Sequence, residues 1–315
     1  MESRSLGKTD VKVSPIALGT WGLGAKSYGP VDPSQFESTV KAAWDAGVTT
    51  FDLAGLWGDG DAERRTSLAL GEHLNDAILI GRAGHVKIEG RILAQFDTYI
   101  VVQEVEATLR RLGRGHLDML LLHQPPTKVL GSHLFDKSIT QLKQEGKLRA
   151  WGVSVSSLAD AELAITRGAE VICFTHNLLV PDDFLDLAPK LAAEGVGVLA
   201  RSPLMHGMLA GRWTKDTKFP ETDHRSRRWA EPAFATRLAQ VEKLRFLVRP
   251  EEKDGIPDLA TAALRYALVT PLVSAAVVGA RTPEQIQHAV GALPTTPETP
   301  LFAQADLERL AEMEL

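Results

Sequence analysis

Short apolar runs alternate with amphipathic stretches through most of the chain. Residues 16–20, 49–53, 77–82, 119–123, 150–155, 171–176, 197–202 and 274–279 read as eight strands. Several are continuous, such as the LLL before His123 and the VSAAVV before Gly279, as strands covered on both faces are. Between them, residues 32–46, 62–74, 100–112, 135–144, 158–167, 183–193, 257–268 and 283–292 carry apolar positions at helical spacing. Many of these segments stop at a glycine, in DAG, QEG, TRG and AEG, which ends a helix before a short loop. Residues 1–12 read as a hairpin turning at Gly7 and Lys8. Strands alternating with helices predict a parallel sheet with crossover connections. Eight such units in about 280 residues have the size of a TIM barrel. A doubly wound sheet is the competitor, but its GxGxxG fingerprint fails at Ser27, where the third glycine would stand. The expected class is therefore α/β: one (β/α)8 TIM-barrel domain over residues 1–315, with an N-terminal β-hairpin and a C-terminal helix. Residues 213–234, polar and rich in arginine, are expected as a long irregular insertion after the seventh strand.

Composition narrows the partners. Apolar residues at 44% and charged residues at 24% fit a globular chain with a large core. A formal charge of -5 and a pI near 6.0 make nucleic acid and anionic membranes unexpected partners. Cys173 is the only cysteine, so no intrachain disulfide can form and a reducing compartment is favoured. The opening MESRSLGKTD has no apolar signal core, and no run approaches the roughly 18 apolar residues of a membrane span. The chain reads as cytoplasmic; oligomeric state leaves no mark in the sequence.

A barrel presents its chemistry at the carboxyl ends of its strands. Asp52, Arg82 and His123 end the second, third and fourth strands: an acid, a cation and an imidazole in succession. Such neighbours are expected to keep Asp52 ionised and to tune His123 for proton work near neutrality. Trp21 and Trp57 follow strands one and two, and a core position for Trp21 is compatible with its place. Arg225, Ser226, Arg227 and Arg228 read as a solvated loop, or as a lid touching cofactor phosphate or an acidic substrate. His176 is expected to be structural. The nine histidines include no i, i+4 pair, so no metal site is expected, and there is no GxSxG nucleophile elbow.

Six blocks occur in order over roughly residues 5–292: "SLGKTDVKVSPIALGTWGLG", "FDLAGLWGDGDAE", "LRRLGRGHLDMLLLHQP", "EGKLRAWGVSV", "SPLMHGMLAGR" and "VVGARTPEQI". Together they resemble the aldo-keto reductase family. The resemblance implies a TIM barrel that binds NADP(H) without a Rossmann domain and reduces aldehydes or ketones through an Asp, Tyr, Lys and His quartet. Asp52 and His123 match the acid and the imidazole. The tyrosine position holds Trp57 and the lysine position holds Arg82; the resemblance also places Trp21 beside Trp57 along the pocket of a small-molecule substrate, as an aromatic, apolar mouth. An indole N–H does not release its proton at useful pH, and an arginine stays charged, so His123 is left as the acid or base. Implied cofactor contacts are Ser154 and Arg201, with Ser202, Leu204 and Gly207 along the pyrophosphate. Gly279, Arg281 and Gln285 would lie at the adenosine end, Arg281 on the 2'-phosphate. Val155 and Cys173 stand where the family grips the nicotinamide amide, Arg201 where it stacks an aromatic ring, and His288 and Ala289 where it has Glu and Asn. Three readings follow: an NADP(H)-binding protein acting on a small or medium carbonyl compound, a non-redox enzyme for cyclisation, dehydration or isomerisation, or a catalytically silent binding subunit.

Overall fold

All eight expected strands form, and they close on themselves. The computed structural model describes residues 1–24, 27–252, 255–294, 296 and 299–313. The strands are β1 (Ile16–Gly19), β2 (Thr50–Asp52), β3 (Ile78–Ala83), β4 (Leu117–His123), β5 (Leu148–Ser154), β6 (Val171–Thr175), β7 (Gly197–Arg201) and β8 (Val273–Gly279). Each pairs in parallel with the next, and β8 returns to β1 with Ala276 opposite Ile16 and Gly279 opposite Gly19. Around them run α1 (Pro33–Asp45), α2 (Asp61–Leu70), α3 (Thr98–Leu112), α4 (Asp136–Gln144), α5 (Leu158–Thr166), α6 (Asp182–Glu194), α7 (Leu259–Ala267) and α8 (Pro283–Gly291). Local chemistry starts and stops them. Asp32, Asp97, Ser157, Asp258 and Thr282 accept hydrogen bonds from free backbone N–H groups in the first turns of α1, α3, α5, α7 and α8. Gly113 and Gly195 take the left-handed conformation that ends α3 and α6.

The two-residue period of each strand divides the core in two. Ala17, Ile80, Met119, Leu121, Ala150, Val171, Cys173, Leu199, Ala275 and Val277 belong to the cluster inside the barrel. Their neighbours Leu18, Phe51, Leu79, Leu120, Leu122, Ile172 and Val198 face the helix layer instead. The hairpin of Arg4–Ser5 with Lys12–Val13 plugs the floor, sending fully buried Leu6, Val11 and Val13 into the inner cluster. It is tied down by Lys8 N–H to the Gly195 carbonyl (2.9 Å) and by the Arg4 guanidinium to the Val273 carbonyl (3.0 Å).

Two segments differ from the sequence expectation. Residues 213–234 are not irregular throughout: Arg225–Arg228 form a helical turn, and Trp213, Phe219, Trp229 and Phe234 pack in a second apolar cluster with helix Ala233–Lys243 and α7. Apolar anchoring, invisible in the polar composition, orders the insertion. After β3 the chain also makes an antiparallel hairpin, His85–Ile88 with Arg91–Ala94, through a turn at Glu89 and Gly90 with φ of 48° and 78°. The C-terminal helix forms over Gln304–Ala311, where Asp306 is ion-paired with Arg249. Among the described residues no helix is long and apolar enough to cross a membrane.

Candidate active site

The site continues the inward rows of the barrel by one more step. Two residues beyond the inward Ile80, Leu121 and Leu199 come Arg82, His123 and Arg201, so period two turns all three toward the rim of the barrel interior. Asp52 alternates with the outward Phe51 and joins them from β2.

Arg82 organises this layer. Its Nε donates to Asp52 Oδ1 (2.7 Å) and its Nη2 to Asp52 Oδ2 (2.9 Å), a bidentate pair whose two side chains are each 4% exposed. Nη2 also faces Cys173 Sγ (3.5 Å), and Nη1 lies 2.9 Å from His123 Nδ1. The guanidinium carbon is 5.7 Å from the ring centre of buried Trp57, within cation–π range. Burial alone would lower the pKa of Arg82, but the Asp52 carboxylate holds it above the ordinary arginine value.

This clamp fixes the state of His123. A guanidinium only donates hydrogen bonds, so Nδ1 is the acceptor and a neutral ring carries its proton on Nε2. Burial, then the charges of Arg82, His85 and Arg201, push the imidazole down to about 2. The expectation of a histidine tuned near neutrality is therefore reversed. Cations surround the ring, and the Asp52 carboxylate is already spent on Arg82. Neutral, Nε2-protonated His123 can donate a hydrogen bond but does not carry a titrating proton between pH 5 and 9. The edge of His85 meets it at a ring-centre distance of 5.4 Å.

Arg201 reaches across the ends of β6 and β5. Its Nη2 donates to Thr175 Oγ1 (3.0 Å), Ser156 Oγ (3.0 Å) and the Val155 carbonyl (3.3 Å), while its buried Nε has no partner among the described residues. Fully buried Ser154 Oγ beside it is also unpartnered. Above them, Ser202, Met205, His206 and Gly207 all have positive φ, 55°, 46°, 56° and 97°. Such a run bends the backbone so that it can cradle an anion. Asn177 steadies this segment by donating to the Ser202 carbonyl (3.1 Å).

Residues 213–234 and the β1–α1 loop meet over the mouth. His224 N–H donates to the Ser27 carbonyl (2.8 Å), and Tyr28 bridges to Asp223. Trp21 packs 4.9 Å from His224 and 5.2 Å from Tyr28, whose hydroxyl lies 3.2 Å from His206 Nδ1. Burial drives Tyr28 up to about 12, and burial followed by Arg228, His224, Arg201 and Arg225 drives His206 down to about 3. Arg225 is not a solvated loop residue: it pairs with Asp223 and lies 4.8 Å from the ring centre of Tyr28. Arg281 donates to the carbonyls of Tyr28 (2.7 Å), Pro30 (3.1 Å) and Gly29 (3.2 Å), and Gln285 Oε1 accepts from its backbone N–H (2.8 Å). Leu204 packs against the core, and Gly279 has open space where a side chain would begin.

Other residues stand apart from this centre. His176 is buried between the rings of Phe184 and Tyr266, His288 pairs with Asp258, and Ala289 lies in the core. Sequence reasoning missed a support beneath the β2–α2 loop, where fully buried Glu63 accepts from Thr108 Oγ1 (2.7 Å) and Arg111. It also missed Glu104, whose carboxyl burial lifts to about 7 in a cavity of about 160 Å³ shared with Arg82 and His85. The acids of "DAERR" and "QEVEA" sit on inward helix faces, and that was the available signal. No cluster of metal-ligating side chains occurs among the described residues.

Fold and site together define a (β/α)8 barrel with its polar constellation at the carboxyl ends of the strands. A profile of the Aldo/keto reductase family matches residues 15–304, and the chain belongs to that family. It is 27% identical over 292 residues to aldo-keto reductase YhdN of Bacillus subtilis, covering 91% of this chain and 87% of that one. It is 26% identical over 303 residues to L-galactose dehydrogenase of Arabidopsis thaliana, covering 93% and 88%. Among solved structures, the glycerol dehydrogenase AKR11B4 from Gluconobacter oxydans superposes with a TM-score of 0.83 at 26% identity, covering 98% and 94%. The protein shares the oxidoreductase scaffold of these relatives.

Proposed function

We propose that the protein is an NADP(H)-dependent reductase of a small or medium carbonyl compound, with His123 as the hydrogen-bond donor to the carbonyl oxygen. The observation that carries the reading is the Arg82 clamp, which leaves the Nε2–H of a neutral His123 as the free face of the ring. The residues present fit a dinucleotide at its nicotinamide and pyrophosphate ends: an unpartnered buried Ser154 hydroxyl and the positive-φ residues between Ser202 and Gly207. Ser154, Ser202, Leu204 and Gly207 would hold it there, with Gly279, Arg281 and Gln285 at the adenosine end. Arg281 would trade its carbonyl partners for the 2'-phosphate. The cofactor supplies hydride to the carbonyl carbon.

The chain's own groups manage the charge that develops on oxygen. Nε2–H of His123 points a fixed donor at it, and the Arg82 cation at Nδ1 makes that N–H more acidic. Asp52 holds Arg82 in register, and Trp57 covers the guanidinium so that water does not compete for it. The alkoxide takes its final proton from water. With no imidazolium to spend, the centre suits stabilisation of an oxyanion better than cyclisation or dehydration by a titrating acid and base, and this favours the reductase reading. The test is to titrate the protein with NADPH by fluorescence and then follow NADPH oxidation across a panel of carbonyls. Binding with turnover that falls on the order of 10²-fold in His123→Ala is expected. No binding at millimolar cofactor would refute the reading.

A further inference from the structure

The rim of the barrel holds more positive charge than it neutralises. Arg82 is matched by Asp52, and Arg225 by Asp223. Arg281 is capped by three carbonyls, which satisfy its hydrogen bonds without cancelling its charge. Arg201 and Arg228 have no carboxylate in contact among the described residues. Arg228 is exposed, but Arg201 is mostly buried and touches only neutral oxygens. A buried cation without a counter-charge costs several kcal/mol, so a fold that keeps one gains from the anion that arrives there. The location indicates which anion. The side chain of Arg201 leaves β7 and crosses β6 to the end of β5, where Ser154 is the register partner of His123. It therefore stands on the same floor as His123, while the positive-φ run and Gly279 lie toward β7 and β8; this separates Arg201 from the cofactor contacts among which the resemblance counts it.

We propose that the substrate is a small oxo acid, its carboxylate paired with Arg201 and its carbonyl oxygen turned to His123. This rests on the reading of the site as a carbonyl-reducing centre and adds the charge of what it reduces. The two contacts fix the molecule at both ends, and a neutral carbonyl of the same size leaves the Arg201 cation unpaired.

The test compares 4-oxobutanoate and 2-oxobutanoate with their methyl esters by titration calorimetry, with and without NADPH. The acids are expected to bind at least tenfold more tightly than the esters, by a margin that shrinks with salt. Arg201→Gln should bring acid and ester within twofold, and Arg201→Lys, which keeps the charge, should restore part of the preference. Thermal melting of both variants confirms that they are folded. Equal binding of acid and ester by the wild type overturns the proposal, as does a preference that survives Arg201→Gln. So does an Arg201→Gln variant that loses NADPH affinity but keeps the acid preference, which would assign the cation to cofactor phosphate. Because binding needs no turnover, a clear acid preference without NADPH oxidation refutes the reductase reading alone, and turnover of acids and esters alike refutes only this inference.

Discussion

Replacing Arg82 by methionine tests the architecture of the site most directly. The guanidinium makes two charged hydrogen bonds to Asp52 and a further one to His123, and both members of the ion pair have side chains only 4% exposed. Arg82→Met leaves a buried carboxylate with no counter-charge, and breaking such a pair from one side costs about 3–5 kcal/mol. Removing both charges is different, because a buried pair replaced by apolar groups of similar volume is close to neutral. Arg82→Met combined with Asp52→Leu should recover stability to within about 1 kcal/mol of the wild type. In the single variant the orphaned Asp52 takes up a proton more readily than in the unfolded chain. Its deficit should then be larger at pH 8 than at pH 5, since a raised folded pKa costs stability as pH rises past the unfolded value. Equilibrium urea unfolding, followed in parallel by fluorescence and circular dichroism, measures all three proteins. A loss below about 1 kcal/mol in Arg82→Met, or a double variant no more stable than the single, would refute the reasoning.

Three further outcomes are expected. His123 should show the ring nitrogen shifts of a neutral, Nε2-protonated imidazole throughout pH 5–9 by NMR, and the rate of carbonyl reduction should have no limb in that range traceable to it; an ionisation near 6.5 would contradict the Arg82 clamp. His176, 2% exposed and pushed down to about 4 by burial, binds a proton more weakly folded than unfolded. Its contribution is complete above pH 6.5 and is lost as pH falls toward 4, by about 3 kcal/mol in total; His176→Phe should flatten acid unfolding in that window. Trp57→Tyr with Arg82→Lys restores a proton-donating hydroxyl and a tunable amine beside Asp52, and NADPH-dependent reduction should rise on the order of 10²-fold; no increase would place the defect in substrate or cofactor binding.

The fold was legible because its strongest signals are local. Apolar runs and helical spacing mark all eight units, terminal glycines mark many of them, and the observed strand ends fall within two residues of those expected. The hairpin at 85–94 was missed because its exposed strands carry mixed side chains, Ile88 and Ile92 beside Lys87 and Arg91, and its only marker is the Glu89-Gly90 turn. In the site, the placement of Asp52, Arg82 and His123 follows from strand position, and that of Arg201, named through the family blocks, follows equally from period two past Leu199. The electrostatics did not follow. The direction of the His123 shift depends on Arg201, far along the chain, and on Asp52 being committed to Arg82. The packing of Tyr28, His206 and His224 over Trp21 joins loops whose proximity no local pattern encodes.

Closure of the barrel through β8 and β1 has a consequence for how the protein is made. Ile16 emerges from the ribosome long before its partner Ala276. Until then β1 is an apolar edge with open backbone groups, and Leu6, Val11 and Val13 have no finished floor to plug. The growing chain therefore needs protection at β1 for as long as the residues between β1 and β8 are being made. A product truncated before Val273 would present two unpaired edges, β7 and β1, and should aggregate rather than persist as a smaller barrel.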